Sequence, residues 1–237
     1  MSKHKMRGMM KGSLGFLMLA TLALMPTAWA ESGTAHQQDY LAALEKVMQA
    51  EARIAQEMER VQLGTVGHYD FLQYEHIELV RHARALAYPP SGLTAESRAA
   101  IKTQTEQLLT SANELEWVIA DFLRAFAQVR SAGSNTLDIA ATMKRDSSAE
   151  LATRIEALET GMLLYMVSGY AEGWDALSVA FDAVLEAANE VQRRELAVQK
   201  HLLEENSPRL GAQRQKLIDS DVDTLALQLQ ALYATGA

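Results

Sequence analysis

The sequence predicts an all-α fold made of two similar antiparallel helical-bundle halves joined by a short linker. Apolar residues recur at steps of three and four along almost every window, and the alternation typical of β-strands is nearly absent. In addition, a glycine-bounded turn followed by a helical pattern occurs twice along the chain. We therefore predict a first half at residues 31–131 and a second half at 132–237.

Residues 1–30 have the pattern of a bacterial signal peptide. A basic start is followed by the apolar run 14–24, which is too short to span a bilayer, and then by Ala28-Trp29-Ala30, a pattern that signal peptidase reads. A signal anchor is the alternative, but Pro26 and the small residues after it favour cleavage after Ala30. We expect a periplasmic or secreted mature protein with no integral membrane segment. The basic residues are Lys3, Lys5, Arg7 and Lys11.

The composition excludes several classes of function. The chain carries a formal net charge of −8, and loss of the basic start makes the mature chain more acidic still. This charge disfavours binding to nucleic acid or to anionic membrane surfaces, because both are polyanions. The chain has no cysteine, so disulfides, thiolate metal sites, covalent haem attachment and cysteine nucleophiles are excluded.

The first helix of the mature chain is predicted to end at Gly64. Glu51 interrupts its apolar seam, and two placements of this residue are open. Either Glu51 is buried, which would raise the pKa of its carboxyl, or Ala52 takes the inward position and Glu51 turns outward. The apolar seam consists of Tyr40, Leu44, Val47, Ile54, Met58 and Val61.

A second helix is predicted at about 70–87 and a long third helix at 94–130, with Thr94 as its N-cap. The small and polar residues 131–135 are predicted to form the linker between the halves. The third helix has a seam with steps of four and three, which is typical of helices packed at a shallow angle. The seam residues are Leu108, Ala112, Leu115, Ile119, Phe122, Phe126 and Val129.

Helical patterning resumes after this linker and reaches a second glycine-bounded turn at 169–173. It continues over about 175–205, and Pro208 is predicted to interrupt it shortly afterwards. A last helix is predicted to begin near Ser220. The segment 169–177 matches 64–72 in its glycine, aromatic, aspartate and leucine positions, which indicates an internal duplication.

The two aspartates of the repeated segment, Asp70 and Asp175, are predicted to be helix caps. Each follows a glycine-containing turn and opens an apolar helical pattern. A short carboxylate at that position accepts hydrogen bonds from backbone N–H groups and suits the positive end of the helix dipole. Capping therefore accounts for both aspartates without a ligand.

The sequence gives little support to a metal site, a haem or an enzyme. His68, His76 and His82 are spaced by eight and six residues, whereas a helical metal pair needs three or four. Met162 and Met166 share a helix face, but such pairs are more typical of core packing than of haem ligation. No nucleophile motif or phosphate loop is present, so we expect a non-enzymatic protein without a cofactor.

Aromatic residues are concentrated near the two repeated turns. Aromatic rings with polar tips at helix ends line small-ligand pockets, and they also occur in ordinary bundle cores, so both interpretations stay open. The candidate ligand-binding residues are Tyr69, Tyr74, Asn113, Trp117, Tyr170 and Trp174.

The chain resembles the double all-helical sensory domain found on the extracytoplasmic side of some bacterial histidine kinases. The resemblance rests on Tyr69-Asp70 within 64–72, on Ser111-Ala112-Asn113 in the third helix, and on the closing segment 217–225. It implies a free-standing exported sensory module that binds a small molecule and passes a signal to a membrane-bound partner. The alternatives are a structural or protein-interaction bundle and, less favoured, a metal- or haem-binding bundle.

Overall fold

The computed structural model describes residues 11–65, 69–170 and 172–236, with side chains from residue 35 onward. Over these residues the chain forms seven α-helices and no β-strand, which confirms the predicted all-α class. The helices are α1 (Lys11–Gln62), α2 (Asp70–Ala85), α3 (Ala95–Arg145), α4 (Ala149–Val167), α5 (Trp174–Ala187), α6 (Glu190–Ile218) and α7 (Val222–Gly236).

Helix α3 is the central element of the bundle. It contains 51 residues, which corresponds to a length of about 75 Å at 1.5 Å per residue. It packs against α2, α4, α6 and α7, while α1 packs against α2, α6 and α7, and α5 contacts α4 and α6. All residues of the two predicted seams in α1 and α3 are buried in a common apolar core, which confirms both predictions.

The predicted linker at 131–135 is wrong, because these residues lie inside α3. Ala132 and Gly133 are buried, and a Cβ atom at Gly133 would lie 3.1 Å from Cε of Met162. The small residues therefore allow α4 to approach α3 closely, and they do not form a loop. The predicted boundary between residues 131 and 132 falls within a continuous helix.

The predicted interruption at Pro208 is also wrong. Helix α6 continues through Pro208, and the break in the second half lies at Ala188 and Asn189 instead. Asn189 caps α6 by accepting a hydrogen bond from the N–H of Gln192 at 3.0 Å, and Gln192 Oε1 accepts one from the N–H of Asn189 at 3.3 Å. This reciprocal capping box fixes the start of α6.

The predicted N-cap Thr94 is confirmed, whereas the predicted caps Asp70 and Asp175 are wrong. Thr94 Oγ1 accepts a hydrogen bond from the N–H of Ser97 at 3.1 Å. The N-caps of α2 and α5 are Tyr69 and Gly173, and neither makes a side-chain capping bond. Both aspartates lie in the first turn, where they favour the helix only through its dipole.

The repeated glycines terminate α1 and α4 in the same way. Gly64 and Gly169 have φ angles of 68° and 69°, a left-handed conformation that glycine adopts without steric penalty. Each helix end has the hydrogen bonds of a Schellman motif, so the backbone geometry at Gly64 matches that at Gly169. The bonds are Gly64 N–H to Val61 O and Thr65 N–H to Arg60 O, matched by Gly169 N–H to Met166 O and Tyr170 N–H to Tyr165 O.

Alanine at the two glycines is expected to have unequal effects. A Cβ at Gly64 meets no atom within 4 Å, so Gly64→Ala has only the left-handed backbone penalty of about 1 kcal/mol. A Cβ at Gly169 would lie 3.2 Å from Cγ of Gln62 and 3.4 Å from its carbonyl oxygen, so we expect Gly169→Ala to lose about 2–3 kcal/mol. Urea unfolding of both variants measures the difference, and equal losses would contradict the close approach at Gly169.

Candidate functional site

The two repeated turns lie against each other. Gln62, the last residue of α1, donates a hydrogen bond from Nε2 to the carbonyl oxygen of Gly169 at 2.6 Å. Gly169 also lies close to the side chain of Leu63, because a Cβ atom added at Gly169 would be 3.4 Å from Leu63 Cδ2. The C-terminal ends of α1 and α4 are therefore in direct contact.

A continuous series of aromatic rings joins these turns through α3. Ring centroids are separated by 5.7 Å between Tyr69 and Phe126, and by 6.1 Å between Phe126 and Tyr170. Tyr165 continues the series, with centroid distances of 5.6 Å to Tyr170 and 5.6 Å to Trp174. Most of these pairs are edge-to-face or tilted, which is the favoured geometry for aromatic contacts.

The hydroxyl ends of two tyrosines lie near one cation. Arg130 Nη1 donates a hydrogen bond to the hydroxyl oxygen of Tyr69 at 2.5 Å. Burial raises the pKa of Tyr170, and the nearby positive charge of Arg130 lowers it in part. Tyr69 from the first turn and Tyr170 from the second thus lie on either side of Phe126 and close to the same guanidinium group.

A cleft of about 310 Å³ opens beside this aromatic series, between the α4–α5 turn and α6. We call it the aromatic cleft. Its volume lies at the lower end of the range for small-ligand sites. The residues that line it include Gln62, Tyr165, Tyr170, Trp174, Glu204 and Ser207.

One buried polar atom in the lining of the aromatic cleft has no hydrogen-bond partner. It is Oε1 of Gln62, a residue that is 7% exposed. The bond from Gln62 Nε2 to Gly169 fixes the orientation of the amide, so Oε1 is held as an acceptor. Ser207 lies beside Tyr165: burial raises the pKa of that tyrosine, and a hydrogen bond with Ser207 lowers it in part. Buried polar atoms without partners are uncommon in native proteins, and a bound water, ion or ligand accounts for some of them.

Helix α6 supplies the opposite wall of the cleft through Glu204, Pro208 and Gly211. Proline has no N–H group, so the carbonyl oxygen of Glu204 lacks its normal helical donor at position 208. A Cβ atom at Gly211 would meet no other atom within 4 Å, which shows that open space faces this position.

The backbone of Tyr170 is strained. Its φ angle of 61° is the only positive value among the non-glycine residues that the structure describes. A bulky residue in this region costs about 1–3 kcal/mol, and such strain is concentrated at functional sites. The contacts of its ring with Phe126 and Tyr165 hold Tyr170 in this conformation at the edge of the cleft.

The structure brings together part of the predicted set of site residues. Tyr170 and Trp174 line the aromatic cleft, and Tyr69 joins them through Phe126. Tyr74 and Asn113 are exposed on α2 and α3 and do not define the cleft.

Trp117, the remaining predicted residue, is 76% exposed and lines a separate groove with Asp121 and Gln213. Gln62, Tyr165 and Ser207 line the aromatic cleft but were not among the predicted site residues. Only Tyr165 had a signal that could have identified it, since it lies on the buried face of α4 five residues before Tyr170.

No group of three or more acidic or histidine side chains able to hold a metal ion occurs within the described ranges. His76 is buried, and its Nε2 lies 2.9 Å from the carbonyl oxygen of Ala112. His201 is on the surface within 4.0 Å of Glu205. His68, considered above as a possible ligand, lies outside the described residues.

Comparisons with family models, curated proteins and solved structures give no significant match to this chain. None of the described helices is both long enough and apolar enough to cross a membrane. The interpretation of function therefore depends on the geometry of the aromatic cleft.

Proposed function

We propose that this protein is an exported, non-enzymatic sensory module that binds a small molecule in the aromatic cleft. The observation that carries this proposal is the buried oxygen Gln62 Oε1, which has no partner and lies among aromatic walls beside Ser207. A few fixed polar groups in an otherwise apolar cleft are the usual composition of a small-ligand site.

Binding fits the lining of the cleft better than catalysis does. Ser207 is a possible nucleophile, but a serine hydroxyl needs a neighbouring base to become reactive. Neither histidine nor lysine is among the residues that line the cleft. Glu204, the lining carboxylate, forms an ion pair with Lys200 at 3.7 Å.

The position of the cleft suits a sensory role. Its walls belong to three separate parts of the chain: the end of α1, the α4–α5 turn and α6. A ligand that contacts all three favours one arrangement of these elements, and α6 packs along the central helix α3. The resemblance to extracytoplasmic sensory domains favours a membrane-bound signalling protein as the partner that reads this change.

Filling the cleft is expected to abolish ligand binding without unfolding the protein. In Gly211→Leu the new side chain enters open space, and loss of a helical glycine favours the fold by up to about 1 kcal/mol. A thermal-shift screen with a broad metabolite library measures binding, since a ligand specific for the folded state raises the melting temperature.

The matched control is Ala212→Leu, which places the same side chain on the exposed face of α6. We expect library ligands to stabilise the unmodified protein and Ala212→Leu but not Gly211→Leu. A broad library that stabilises none of the three proteins would contradict the proposed function.

A second candidate function is a protein-interaction bundle, and it rests on exposed apolar residues of α2. Phe71, Tyr74 and Ile77 are each more than half exposed on one helix, and Trp117 of α3 is more exposed still. Large contiguous apolar patches on a protein surface mark protein-binding sites. Stable self-association or a stable complex, observed together with an empty ligand screen, would favour this function.

A further inference from the structure

We infer that the ligand of the aromatic cleft carries an ammonium group on a small apolar or aromatic body. This inference rests on the proposed function and specifies the chemistry of the molecule that the cleft accepts. It follows from the oxygens of Gln62 and Glu204, which can only accept hydrogen bonds, from the positions of two nearby cations, and from the aromatic walls.

The free oxygens of Gln62 and Glu204 can only accept hydrogen bonds, whereas Ser207, Tyr165, Tyr170 and Trp174 can donate them. Gln62 Oε1 can only accept, because the amide donates to Gly169 through Nε2. The carbonyl oxygen of Glu204 lacks its helical donor, since Pro208 has no N–H group. The carboxylate of Glu204 adds a negative charge on the same wall. An ammonium group has three donors and no acceptor, so it complements these oxygens.

Two cations near the cleft make their short contacts to residues outside its lining. Lys200 Nζ lies 2.7 Å from Asp182 and 3.7 Å from Glu204, so its shorter contact is to a carboxylate that does not line the cleft. Arg130 donates to the hydroxyl oxygen of Tyr69, which does not line the cleft, although its charge also acts on Tyr170 of the lining. Because no lysine or arginine is among the described residues of the lining, a carboxylate or phosphate ligand would lose hydration beside Glu204 without an ion pair to replace it.

The aromatic walls favour the same charge. Tyr165, Tyr170 and Trp174 all contribute to the lining, and the faces of such rings attract cations. Tryptophan is the strongest of the aromatic residues in this respect. A small organic cation thus gains from the ring faces as well as from the oxygens.

The volume of the cleft limits the size of this ligand. At about 310 Å³ it is at the lower end for ligand sites, and Glu204 of its lining is exposed to solvent. We therefore expect a single ring or a short alkyl body with one ammonium group, and not a peptide or a polyamine chain.

Three probes of nearly equal shape test the inference: 2-phenylethylamine, 2-phenylethanol and phenylacetate. Titration calorimetry and thermal shift with each probe are expected to rank the amine tightest, the alcohol about tenfold weaker and the acid weakest. Gly211→Leu is expected to abolish the heat of binding of the amine, which locates that binding in the cleft.

The carboxylate of Glu204 and that of its neighbour Glu205 provide a matched pair of variants. Glu204→Gln is expected to weaken amine binding by about fivefold and to leave alcohol binding unchanged, because only the amine carries charge. Glu205→Gln removes a neighbouring exposed carboxylate that does not line the cleft and is expected to change neither affinity.

The outcomes separate this inference from the proposed function. If phenylacetate or an acidic library compound binds and Gly211→Leu blocks it, while the amine does not bind, the ammonium assignment is wrong and the ligand-binding function stands. If Glu204→Gln and Glu205→Gln weaken amine binding equally, the amine responds only to net charge and the assignment to this cleft is wrong. If neither probes nor library bind, both proposals fall together.

Discussion

Phe126→Ala is expected to lower the free energy of unfolding by about 4 kcal/mol, the largest effect of any substitution considered for this protein. Phe126 is 2% exposed and lies in the middle of the aromatic series, in contact with Tyr69 on one side and Tyr170 on the other. It also stacks with Phe122 at a centroid distance of 6.4 Å. Removing the ring leaves a cavity and removes three aromatic contacts at once.

The loss is expected to extend to both repeated turns. Tyr170 keeps its strained backbone only while its ring is held, so loss of Phe126 allows the α4–α5 turn to relax and distorts the aromatic cleft. Ligand affinity should therefore fall even at temperatures where the variant remains folded.

Phe71→Ala is the matched control, because it makes the same chemical change on a residue of α2 that is 55% exposed. We expect its free energy of unfolding to stay within about 0.5 kcal/mol of the unmodified protein. Urea unfolding of both variants gives the comparison. A loss below about 1 kcal/mol for Phe126→Ala would contradict the central position of the ring.

The helices were predictable because the buried residues of each helix recur at the helical period within one continuous segment of the sequence. In α3, residues such as Leu108, Ile119 and Val129 recur at the helical period, and all are buried. The same reasoning could have excluded Tyr74. The buried face of α2 includes Leu72 and His76, and a residue midway between them points away from that face.

The errors in the predicted connections have a shared physical cause. Gly133 and Pro208 usually mark breaks in local structure, yet here tertiary contacts decide their roles. Gly133 allows the close approach of Met162, and Pro208 is accommodated within α6 beside the cleft. Composition alone does not distinguish a small residue at a helix contact from one in a loop.

The candidate site was only partly predictable because its polar groups come from distant parts of the chain. Tyr170 and Trp174 were expected from the repeated turn, and they line the cleft. Gln62 and Ser207 belong to α1 and α6, and nothing in their local sequence distinguishes them from surface polar residues. Their burial beside the cleft, and the lack of a partner for Gln62 Oε1, appear only when the helices are packed together.

Glu51 shows what a single interruption in an apolar seam can indicate. The structure places it inward at 7% exposure, while Ala52 is exposed, so the first of the two placements considered for this residue is confirmed. Its Oε1 accepts a hydrogen bond from the hydroxyl of Ser220. Asp223 of α7 lies within hydrogen-bonding reach of the same carboxyl group.

The stability of the protein is therefore expected to fall as the pH rises. Burial raises the pKa of Glu51 from 4.5 to about 8, and Asp223 adds to this rise, while the bond from Ser220 lowers the value in part. Below pH 4.5 the carboxyl is protonated in both the folded and the unfolded protein, so this residue imposes no penalty. Between pH 4.5 and about 8 the unfolded chain releases the proton and the folded chain keeps it, which favours unfolding.

Glu51→Gln isolates this contribution. A rise in the pKa of Glu51 from 4.5 to about 8 corresponds to a loss of unfolding free energy on the order of 3 kcal/mol between pH 5 and pH 8, because the site is partly solvated. Glutamine retains an oxygen that accepts from Ser220, and it does not ionise, so the variant is expected to match the unmodified protein at pH 5 and to exceed its stability at pH 8.

Asp223→Asn is the companion variant and should reduce the pH dependence without abolishing it, because burial is the main cause of the raised pKa. Urea unfolding at a series of pH values measures all three proteins. Parallel pH profiles for Glu51→Gln and the unmodified protein would show that Glu51 ionises freely, and the contact between α1 and α7 would then have to open to admit water.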